Sequence, residues 1–395
     1  MNTLPKNAVL RELLNALPAE GAVSVDWDAL QATALGRFFT RMAETPQNPA
    51  YHGEGNVCNH TKRVCEALLS LDGYRSASAD SQRALFLAAL LHDIGKIPCT
   101  RMENGVPTSP HHASTGARMA REFLWKECGL SGSPEARALR ETVCLLVRYH
   151  SFPPYAIHEK NAERRLLRIA SNSEAVPGFS LRGLCLLERA DILGRICADS
   201  EESMDRVEYC GMLAEELGCA DGAYSFADPH SRRAYFRGQT DWREQKMFDD
   251  TWGEVILLCG LPGTGKDTWI ARNCPDLPMV SLDNIRRRMG IDPTEPQGKV
   301  AAAAHEEARE LLRRHVPFVW NATNITADMR SKQISLFEQY GASVRTVYLE
   351  TDWEEGLRRN AARPAEVPFA VVERMLSKLE MPETHESTAV EWETT

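Results

Sequence analysis

The stretch from Glu254 to Trp269 limits what this chain can fold into more than any other part of the sequence. It begins with a short apolar run, Val255 to Cys259, which is typical of a strand buried on both faces. Three glycines within six residues follow, and then Lys266, where we expect a helix to begin. This order predicts a phosphate-binding loop of the form Gly-x-x-x-x-Gly-Lys, because backbone N–H groups and a helix N-terminus attract polyphosphate.

The residue after Lys266 departs from the common form of this loop. Asp267 stands where a serine or threonine usually holds Mg²⁺, and Thr268 comes one place later. A carboxylate is a suitable Mg²⁺ ligand, either directly or through water. The same aspartate could instead only stabilise the helix start through the helix dipole. The sequence leaves these two roles of Asp267 open.

Length and composition set the frame for the rest of the chain. At 395 residues, two domains are the natural expectation. The eleven cysteines are scattered without a Cys-x-x-Cys pair, so we expect a cytoplasmic protein without a disulfide framework or a thiolate zinc site. The sequence has no apolar run of membrane length and no secretory signal, so we expect no membrane partner. A formal net charge of −9 argues against non-specific binding to long nucleic acids, but it allows a local basic pocket for a nucleic-acid end.

In the amino-terminal half, a helix that is apolar on every side ends in two polar residues. We predict that it begins near Ser81, with Asp80 or Ser81 as its N-cap. Residues Ala84 to Leu91 are apolar, so the helix should be buried in the centre of its domain. It ends in His92 and Asp93, and a buried carboxylate is costly unless it is paired or bound to a metal.

Histidine and aspartate recur on other segments of this half. Imidazole and carboxylate together suit transition metals such as Mn, Fe, Co, Ni or Zn, and the joint pattern predicts a site for one or two ions. We interpret His52 and His158 as ordinary core or surface residues. The candidate metal ligands are His60, His92, Asp93, His112, His150 and Asp191.

The order His…His-Asp…Asp, with the doublet in the context His-Asp-Ile-Gly-Lys, resembles the HD superfamily of metal-dependent phosphohydrolases. The resemblance covers about residues 50 to 210. It implies an all-α fold and hydrolysis of a phosphate ester. It also implies that the first histidine, the doublet and the last aspartate hold one metal, and that the two additional histidines hold a second. Lys96 would either steady charge in the transition state or be a solvated cation at a helix end, and both roles stay open.

The carboxyl-terminal half alternates strands and helices, which is typical of an α/β domain with a mostly parallel sheet. Asp283 follows the second predicted strand and should lie beside the phosphate loop, because the carboxyl ends of parallel strands face the ligand crevice. There it could accept a proton from an attacking hydroxyl, or cap the helix that begins there. The third strand leads into Asn321, where P-loop proteins often have an aspartate. A later helix with Arg359 and Arg363 is interpreted as a lid over ATP.

Four motifs in this half are similar to those of the polynucleotide 5′-hydroxyl kinase family: Gly-Leu-Pro-Gly-Thr-Gly-Lys-Asp, Ser-Leu-Asp-Asn-Ile-Arg, Asn-Ala-Thr-Asn and Arg-Arg-Asn-Ala-Ala-Arg. The resemblance covers about residues 254 to 380 and implies ATP and Mg²⁺ as cofactors. Carried over by position, the implied catalytic residues are Lys266, Asp283 and Arg363, with Arg286 or Arg287 on the phosphate of the acceptor end. The implied nucleotide-binding residues are Gly260, Gly263, Thr264, Gly265, Lys266, Asp267, Thr268 and Arg359.

An HD phosphohydrolase followed by a polynucleotide-kinase-like domain resembles the bacterial HD-Pnk end-healing enzymes. This resemblance implies ATP-dependent phosphorylation of 5′-hydroxyl ends and metal-dependent removal of 2′,3′-cyclic phosphate or 2′-phosphate from RNA or DNA ends. Sealing would need a separate ligase. We predict a helical HD domain over residues 1–235, a linker over 236–250, a kinase domain over 251–380 and an acidic tail over 381–395 that is disordered at its end.

Two other interpretations of the same motifs stay open. In the first, a small-molecule or nucleotide kinase is fused to a nucleotide phosphohydrolase. In the second, the P-loop domain is a non-catalytic ATP switch that controls the hydrolase, which the departure at Asp267 makes conceivable. The two differ from end healing in whether phosphate from ATP reaches a 5′-hydroxyl oligonucleotide.

Overall fold

The computed structural model describes residues 7–158, 160–291, 295–363 and 365–395. The chain divides into two compact units, of which the first ends at Tyr224 and the second begins at Ser225. This division lies ahead of the predicted linker over 236–250. Among the described residues, no helix combines the length and the apolar character needed to cross a membrane.

In the described residues of the first unit, the named strands form one small antiparallel hairpin, β1 (Arg101–Glu103) with β2 (Val106–Thr108), and the other named elements are helices. Two short 3₁₀ turns cover Pro153–His158 and Ser171–Glu174. Within the described residues its helices are α1 (Ala8–Ala16), α2 (Trp27–Ala32), α3 (Gly36–Ala43), α4 (Val57–Ser70), α5 (Asp72–Arg75), α6 (Ala79–Leu91), α7 (Lys96–Cys99), α8 (His112–Lys126), α9 (Pro134–Tyr149), α10 (Ala162–Ala170), α11 (Leu181–Gly194) and α12 (Ser200–Glu216). The predicted helical fold of this half is confirmed.

Side-chain caps and apolar patterning define the helices that matter most for the site. Helix α4 begins after Asn56, whose side chain accepts a hydrogen bond from the backbone three residues later. Helix α6 begins after Ser78, whose hydroxyl accepts from the N–H of Ser81, so the predicted cap at Asp80 or Ser81 was wrong. Residues Ala84 to Leu91 are all buried, and α6 packs against α4, α9 and α11. The apolar surface on every side of α6 therefore places it in the centre of the unit, as predicted.

Gly95, just after α6, allows two helices to approach closely. Its φ of −69° is ordinary, so backbone freedom is not the reason for a glycine here. A Cβ atom at this position would lie 2.0 Å from the carbonyl oxygen of His112 and 2.5 Å from the backbone nitrogen of Gly116. The first turn of α8 consequently packs directly on the turn after α6, and this contact brings His112 beside Asp93.

A buried ion cluster holds α8 against α9. The carboxylate of Glu141 lies 2.7 Å from a terminal nitrogen of Arg121 on α8 and 2.7 Å from Nε of Arg140 on its own helix. Burial would raise the pKa of Glu141, but the two guanidinium groups outweigh it and lower the pKa below its usual range. The two helices carry His112 at the start of α8 and His150 at the end of α9, so this cluster fixes their spacing.

We expect Glu141→Gln to lower the free energy of unfolding by about 3–5 kcal/mol at pH 7, because it removes a buried negative charge that both guanidinium groups contact. The folded-state pKa of Glu141 lies below its unfolded value, so this stabilisation is present above the unfolded pKa and is lost as pH falls through the folded pKa. The gap between the variant and the wild type should therefore shrink in acid. Urea unfolding followed by circular dichroism at pH 7 and at lower pH measures it.

A matched control for this prediction is Glu215→Gln, which removes a carboxylate from an exposed ion pair with Arg182. That change should lower the free energy of unfolding by no more than about 1 kcal/mol, because exposed ion pairs contribute little to stability. A loss at Glu141 as small as the loss at Glu215 would show that the buried cluster does not hold the two helices together.

The second unit is an α/β domain. Within the described residues its elements are α13 (Pro229–Phe236), β3 (Glu254–Cys259), α14 (Lys266–Asn273), β4 (Met279–Ser281), α15 (Leu282–Met289), α16 (Gly298–Arg313), β5 (Phe318–Asn321), α17 (Ala327–Gln339), β6 (Ser343–Glu350), α18 (Trp353–Ala361), α19 (Phe369–Leu376) and β7 (Ala389–Thr394). The strands form one sheet in the order β4-β5-β3-β6-β7, and every neighbouring pair is parallel. The predicted α/β fold with a parallel sheet is confirmed.

The sheet order decides where the site lies. Strand β3 is central and buried from Val255 to Cys259, and the strands on either side run in the same direction. The carboxyl ends of β3, β4 and β5 therefore meet at one edge of the sheet. The phosphate loop, the start of α15 and the residues after Asn321 all follow these ends.

The acidic tail is ordered, and the expectation of disorder at its end was wrong. Residues 389–394 form β7, which pairs in parallel with residues 345–350 of β6. The side chain of Glu391 lies 3.5 Å from Arg345, and Glu393 accepts a hydrogen bond from the indole N–H of Trp269 at 2.7 Å. Arg345 thus offsets part of the negative charge that argued against a folded segment, and Trp269 supplies a hydrogen bond to one of its carboxylates.

Candidate functional sites

Six buried or half-buried side chains of the first unit converge from five helices. The fold places them in the first turn of α4, at the end of α6, at the start of α8, just after α9 and near the end of α11. They are the predicted set of His60, His92, Asp93, His112, His150 and Asp191.

Asp93 lies between two pairs of histidines. Its Oδ2 is 3.4 Å from Nε2 of His92 and 3.7 Å from Nε2 of His60. Its Oδ1 is 3.6 Å from Nε2 of His112 and 3.9 Å from Nε2 of His150. One carboxylate oxygen thus faces each pair, an arrangement that could bridge two metal ions.

The backbone selects the tautomer of three of these histidines. In His92, His112 and His150, Nδ1 lies 2.8–2.9 Å from the backbone carbonyl oxygen three residues earlier in the chain. A carbonyl only accepts, so Nδ1 carries the proton and donates it. In a neutral ring the lone pair is then on Nε2, which is the atom that points toward Asp93. Burial, followed by the nearby His112 and His92, lowers the pKa of His150 to about 3, so its ring stays neutral and able to bind a metal.

The contacts of His60 and His92 show whether a divalent cation fits among these side chains. Nε2 of His60 lies 2.8 Å from Oδ1 of Asp191, while its Nδ1 lies 2.9 Å from a carboxylate oxygen of Glu54. Both ring nitrogens therefore face negative oxygen, and the contacts with Asp191 and Glu54 outweigh burial and raise the pKa of His60. Nε2 of His92 is buried and has no hydrogen-bond partner among the described residues. A buried set of imidazole lone pairs and carboxylate oxygens fits a divalent ion, with Asp93 shared if two are bound.

Lys96 belongs to the cluster and is not a solvated cation at a helix end, as one interpretation had it. It is buried, and its Nζ lies 2.7 Å from Oδ2 of Asp93 and 2.6 Å from Oε1 of Gln47. Burial alone would raise the pKa of Asp93, but Lys96 and His92 hold it well below its usual range. The ammonium group therefore lies where it could also contact a phosphate oxygen.

Sequence reasoning missed three further residues of this site. Glu54 contacts His60 through one oxygen and accepts from the backbone N–H of Ile196 through the other at 2.9 Å. Burial opposes this charge, but the contact with His60 and the backbone bonds lower the pKa of Glu54 to about 2. His52 lies 2.9 Å from the same carboxylate, so its interpretation as an ordinary residue was incomplete. Arg195 pairs with Asp191 four residues earlier, a spacing that the sequence does offer as a signal.

In the second unit, the phosphate loop needs its glycines. Gly260, Gly263 and Gly265 have φ values of 144°, 84° and 77°, which side chains rarely adopt. A Cβ at Gly260 would lie 2.5 Å from the carbonyl oxygen of Leu349, and one at Gly263 would lie 2.2 Å from that of Gly356. The loop thus packs against the end of β6 and the start of α18.

Lys266 folds back over this loop. Its ammonium group donates to the carbonyl oxygens of Gly260 and Leu261, both at 2.9 Å. Burial, with Arg363 contributing and Asp267 opposing, lowers the pKa of Lys266 to about 8. The hydroxyl of Thr264 is turned inward and donates to Leu261, so it stabilises the loop.

Asp267 and Thr268 follow on the exposed first turn of α14. Oδ1 of Asp267 accepts a hydrogen bond of 2.6 Å from the side-chain amide of Asn321 at the end of β5. The position after the loop lysine is therefore joined directly to the end of the neighbouring strand, although 54 residues separate them in the chain.

Asp283 is the second residue of α15 and faces two arginines. Its carboxylate lies 2.5 Å from Arg286 and 3.2 Å from Arg363. Burial would raise the pKa of Asp283, but the contacts with Arg286 and then Arg363 lower it, so the group is ionised at neutral pH. Helix α15 is capped by Ser281, whose hydroxyl accepts from Asn284, so the alternative in which Asp283 is the N-cap was wrong.

The remaining predicted arginines differ in their contacts. Arg287 donates to Asn284 and is exposed, so the structure brings Arg286 and not Arg287 to Asp283. Arg359 donates to Glu355 at 2.7 Å and to the hydroxyl of Thr395 at 3.1 Å. A Cβ at Gly265 would lie 3.7 Å from its guanidinium group, so Arg359 adjoins the phosphate loop.

Comparisons with known proteins agree with this geometry. Residues 57–176 match the HD domain family, and residues 255–382 match an AAA domain family. The chain joins an HD domain to a P-loop, kinase-like domain. An HD domain implies a divalent metal ion, and a kinase-like P-loop domain implies ATP with Mg²⁺.

Two curated proteins are similar over parts of the chain. A multifunctional CCA protein from Halorhodospira halophila is 32% identical over 123 residues, which cover 30% of this chain and 26% of that protein. An L-seryl-tRNA(Sec) kinase from Methanococcus maripaludis is 24% identical over 139 residues, which cover 33% of this chain and 54% of that protein. The matches thus span about a quarter and about half of these relatives.

Proposed function

We propose that this protein heals broken nucleic-acid ends with two active sites. The P-loop domain would transfer the γ-phosphate of ATP to a 5′-hydroxyl end. The HD domain would remove a 2′,3′-cyclic phosphate or a 2′-phosphate from the opposite end. Cleavage of RNA by attack of the 2′-oxygen leaves a 5′-hydroxyl and a 2′,3′-cyclic phosphate, so one chain would then process both products of one break.

The observation that carries this proposal is the pair formed by Asp283 and Arg286 beside the phosphate loop. Asp283 is an ionised carboxylate that could accept a proton from an acceptor hydroxyl. Arg286, 2.5 Å away, is a planar cation suited to binding a phosphate oxygen pair. A base next to a phosphate-binding arginine favours an acceptor with both a hydroxyl and a nearby phosphate. The 5′-terminal nucleotide of a polynucleotide has both, whereas a free nucleoside has no phosphate.

The residues of the kinase site fit in-line phosphoryl transfer. The 5′-oxygen would form a bond to the γ-phosphorus of ATP while the bond from that phosphorus to the β,γ-bridging oxygen breaks. The hydroxyl proton would go to Asp283, and ADP would leave. Lys266 and Arg363 lie where they could stabilise negative charge on the transferred group.

The residues of the HD site fit hydrolysis of a phosphate ester in two steps. Water would first open the cyclic phosphodiester to a monoester, and a second water would release inorganic phosphate and leave a hydroxyl. Divalent ions held by the histidines and aspartates would bind phosphate oxygens and lower the pKa of water. Lys96 adds a buried positive charge beside Asp93, and Glu54 and Arg195 orient His60 and Asp191.

The relatives give partial support for a nucleic-acid substrate. One is named as a kinase of L-seryl-tRNA, so its acceptor is attached to RNA. We propose RNA or DNA ends as the substrates here, with a separate ligase to seal them and the cytoplasm as the site of action. The metal of the HD site would be Mn, Co, Ni, Fe or Zn.

An assay with one RNA that carries a 5′-hydroxyl and a 2′,3′-cyclic phosphate tests the proposal. With ATP and Mg²⁺, label from γ-labelled ATP should appear at the 5′ end. With a transition metal, the cyclic phosphate should be released. Parallel reactions with nucleosides, nucleoside 3′-phosphates, DNA and seryl-tRNA rank the acceptors.

The other outcomes separate the alternatives. Transfer to nucleosides as fast as to oligonucleotides would favour the small-molecule kinase and contradict end healing. A change in hydrolase rate on adding ATP, without any phosphoryl transfer, would favour the ATP switch. Transfer to seryl-tRNA alone would place the acceptor on an amino acid and not on a nucleic-acid end.

A further inference from the structure

We propose that Asp267 on α14 supplies the carboxylate for Mg²⁺ in the kinase site and that Asn321 on β5 positions it. In the usual P-loop pair the neutral residue follows the loop lysine and the acidic residue ends a neighbouring strand, so the two residue types would be exchanged here. This inference rests on the proposed kinase function and deepens it by naming the metal-binding pair of this chain.

The exchange is visible at both positions. P-loop proteins commonly have a serine or threonine hydroxyl after the loop lysine and an aspartate at the end of a neighbouring strand, and both serve Mg²⁺. Here the helix position holds Asp267 and the end of β5 holds Asn321. The two side chains touch, with the amide of Asn321 donating to Oδ1 of Asp267 at 2.6 Å. Either arrangement puts one negative and one neutral group in the pocket, so the exchange keeps the charge that a cation needs.

The contact also orients the carboxylate. Asn321 is 7% exposed, and its hydrogen bond engages Oδ1 of Asp267 on an otherwise exposed helix turn. Oδ2 then remains available to an ion, either directly or through water, and Mg²⁺ prefers oxygen ligands of this type. An aspartate at position 321 would instead place two carboxylates within hydrogen-bond distance, where they repel unless a cation or a proton lies between them. The neutral residue on β5 is therefore compatible with the acidic residue on α14.

The alternative is that Asp267 serves only the dipole of α14. A carboxylate in the first turn does this from any rotamer and without a partner. A role in the dipole alone does not explain why the buried side-chain amide of Asn321, on β5 and 54 residues away in the chain, donates to one carboxylate oxygen of Asp267. The geometry therefore favours a carboxylate held in one orientation beside the phosphate loop.

Nucleotide binding to the full chain tests the proposal without any acceptor. Calorimetry would give the Kd of ATP with EDTA and the Kd of ATP with excess Mg²⁺, and the readout is the ratio of the first Kd to the second. For Asp267→Ser we expect that ratio to fall by about tenfold, as is usual when a group that holds a metal is lost. For Asn321→Asp we expect weaker binding of metal-free ATP, because a second carboxylate repels polyphosphate. The double variant Asp267→Ser/Asn321→Asp should return the ratio to within about threefold of the wild type, since it restores the common arrangement.

Two controls accompany these variants. Glu306→Gln removes an exposed carboxylate that pairs with Arg309 and Arg313 on α16, and it should change neither Kd. Asp267→Asn keeps the shape of the side chain and removes its charge, so it decides the question if Asn321→Asp does not fold. Thermal melts establish folding of each variant.

An unchanged ratio in Asp267→Ser and Asp267→Asn would overturn the proposal, because the carboxylate would then not touch the ion even through water. If the double variant has the same ratio of Kd values as Asp267→Ser, the proposed exchange of the acidic and the neutral residue is wrong. A wild type that binds MgATP through Asp267 but phosphorylates no 5′-hydroxyl end would leave this inference standing and contradict the proposed function. A wild type without any preference for MgATP would overturn both.

Discussion

The variant Asp93→Asn is expected to lose release of phosphate from a 2′,3′-cyclic end by at least about a hundredfold, while 5′ phosphorylation stays within about twofold of the wild type. The reason is that one oxygen of Asp93 faces His60 and His92 and the other faces His112 and His150. An amide removes both the shared ligand and the charge that holds cations in a buried site. Bound metal, measured by elemental analysis, should fall together with activity.

The control for Asp93→Asn is Asp221→Asn, which removes a carboxylate from an exposed pair with Arg182 in the same unit. It should leave metal content and both activities unchanged. Full metal content and full phosphate release in folded Asp93→Asn protein would show that the cluster is structural.

The variant Asp283→Asn is expected to lower kinase turnover by about 10²–10⁴-fold with little change in the Kd of ATP. Asp283 is ionised and faces Arg286 and Arg363 beside the loop, and Ser281 already caps the helix. An amide keeps one oxygen that can accept a hydrogen bond from one of the two arginines, but it cannot accept the proton of the acceptor hydroxyl. Single-turnover kinetics with a 5′-hydroxyl oligonucleotide measure the step, and calorimetry measures ATP binding.

For Asp283→Asn, the matched control is Asp328→Asn, which removes an exposed carboxylate that pairs with Lys332 on α17. Its turnover should be that of the wild type. If Asp283→Asn has near-normal turnover, Asp283 is not the general base. Its role would then be to hold Arg286 and Arg363 in place, and another residue would have to accept the proton.

The sequence pattern was sufficient to predict those elements whose structure depends on residues that are close together in the chain. A strand followed by a glycine-rich loop and a lysine has few other ways to fold, because the glycine positions need positive φ and lie against backbone atoms. In the same way, the apolar run from Ala84 to Leu91 predicts an element that is buried on all sides, and the polar doublet at its end then has to be paired or bound to a metal.

The parts that could not be predicted depend on partners distant in the sequence. Strand β7 was interpreted as a disordered acidic tail, because Arg345 and Trp269, which meet its glutamates, are far away in the chain. The role of Gly95 as a point of helix contact was likewise hidden, since nothing local identifies the carbonyl that it must admit. The contact of Gln47 with Lys96 could not be predicted for the same reason, since 49 residues separate the two in the chain.

The same distinction between local and distant partners applies to the site residues. Histidines and aspartates were recognised as candidates because their residue types suit metals. The groups that orient them, Glu54 and Arg195, have ordinary surface composition and became visible only through contacts. The pairing of Asp267 with Asn321 combines two departures from a common motif, each visible in the sequence, whose connection needed the structure.

The central claim is that one chain carries two chemistries in two separate sites, and reciprocal variants test it most directly. Asp93→Asn and Lys266→Ala would each be incubated with one RNA that carries a 5′-hydroxyl and a 2′,3′-cyclic phosphate, with ATP, Mg²⁺ and a transition metal. Lys266 contacts only the phosphate loop in this structure's described hydrogen bonds, and Asp93 lies in the helical unit.

We expect Asp93→Asn to phosphorylate the 5′ end and leave the cyclic phosphate intact, and Lys266→Ala to do the reverse. A mixture of the two variants should complete both ends. If either substitution silences both activities in protein shown to be folded, the two-site account is wrong, and a shared or tightly coupled site must replace it.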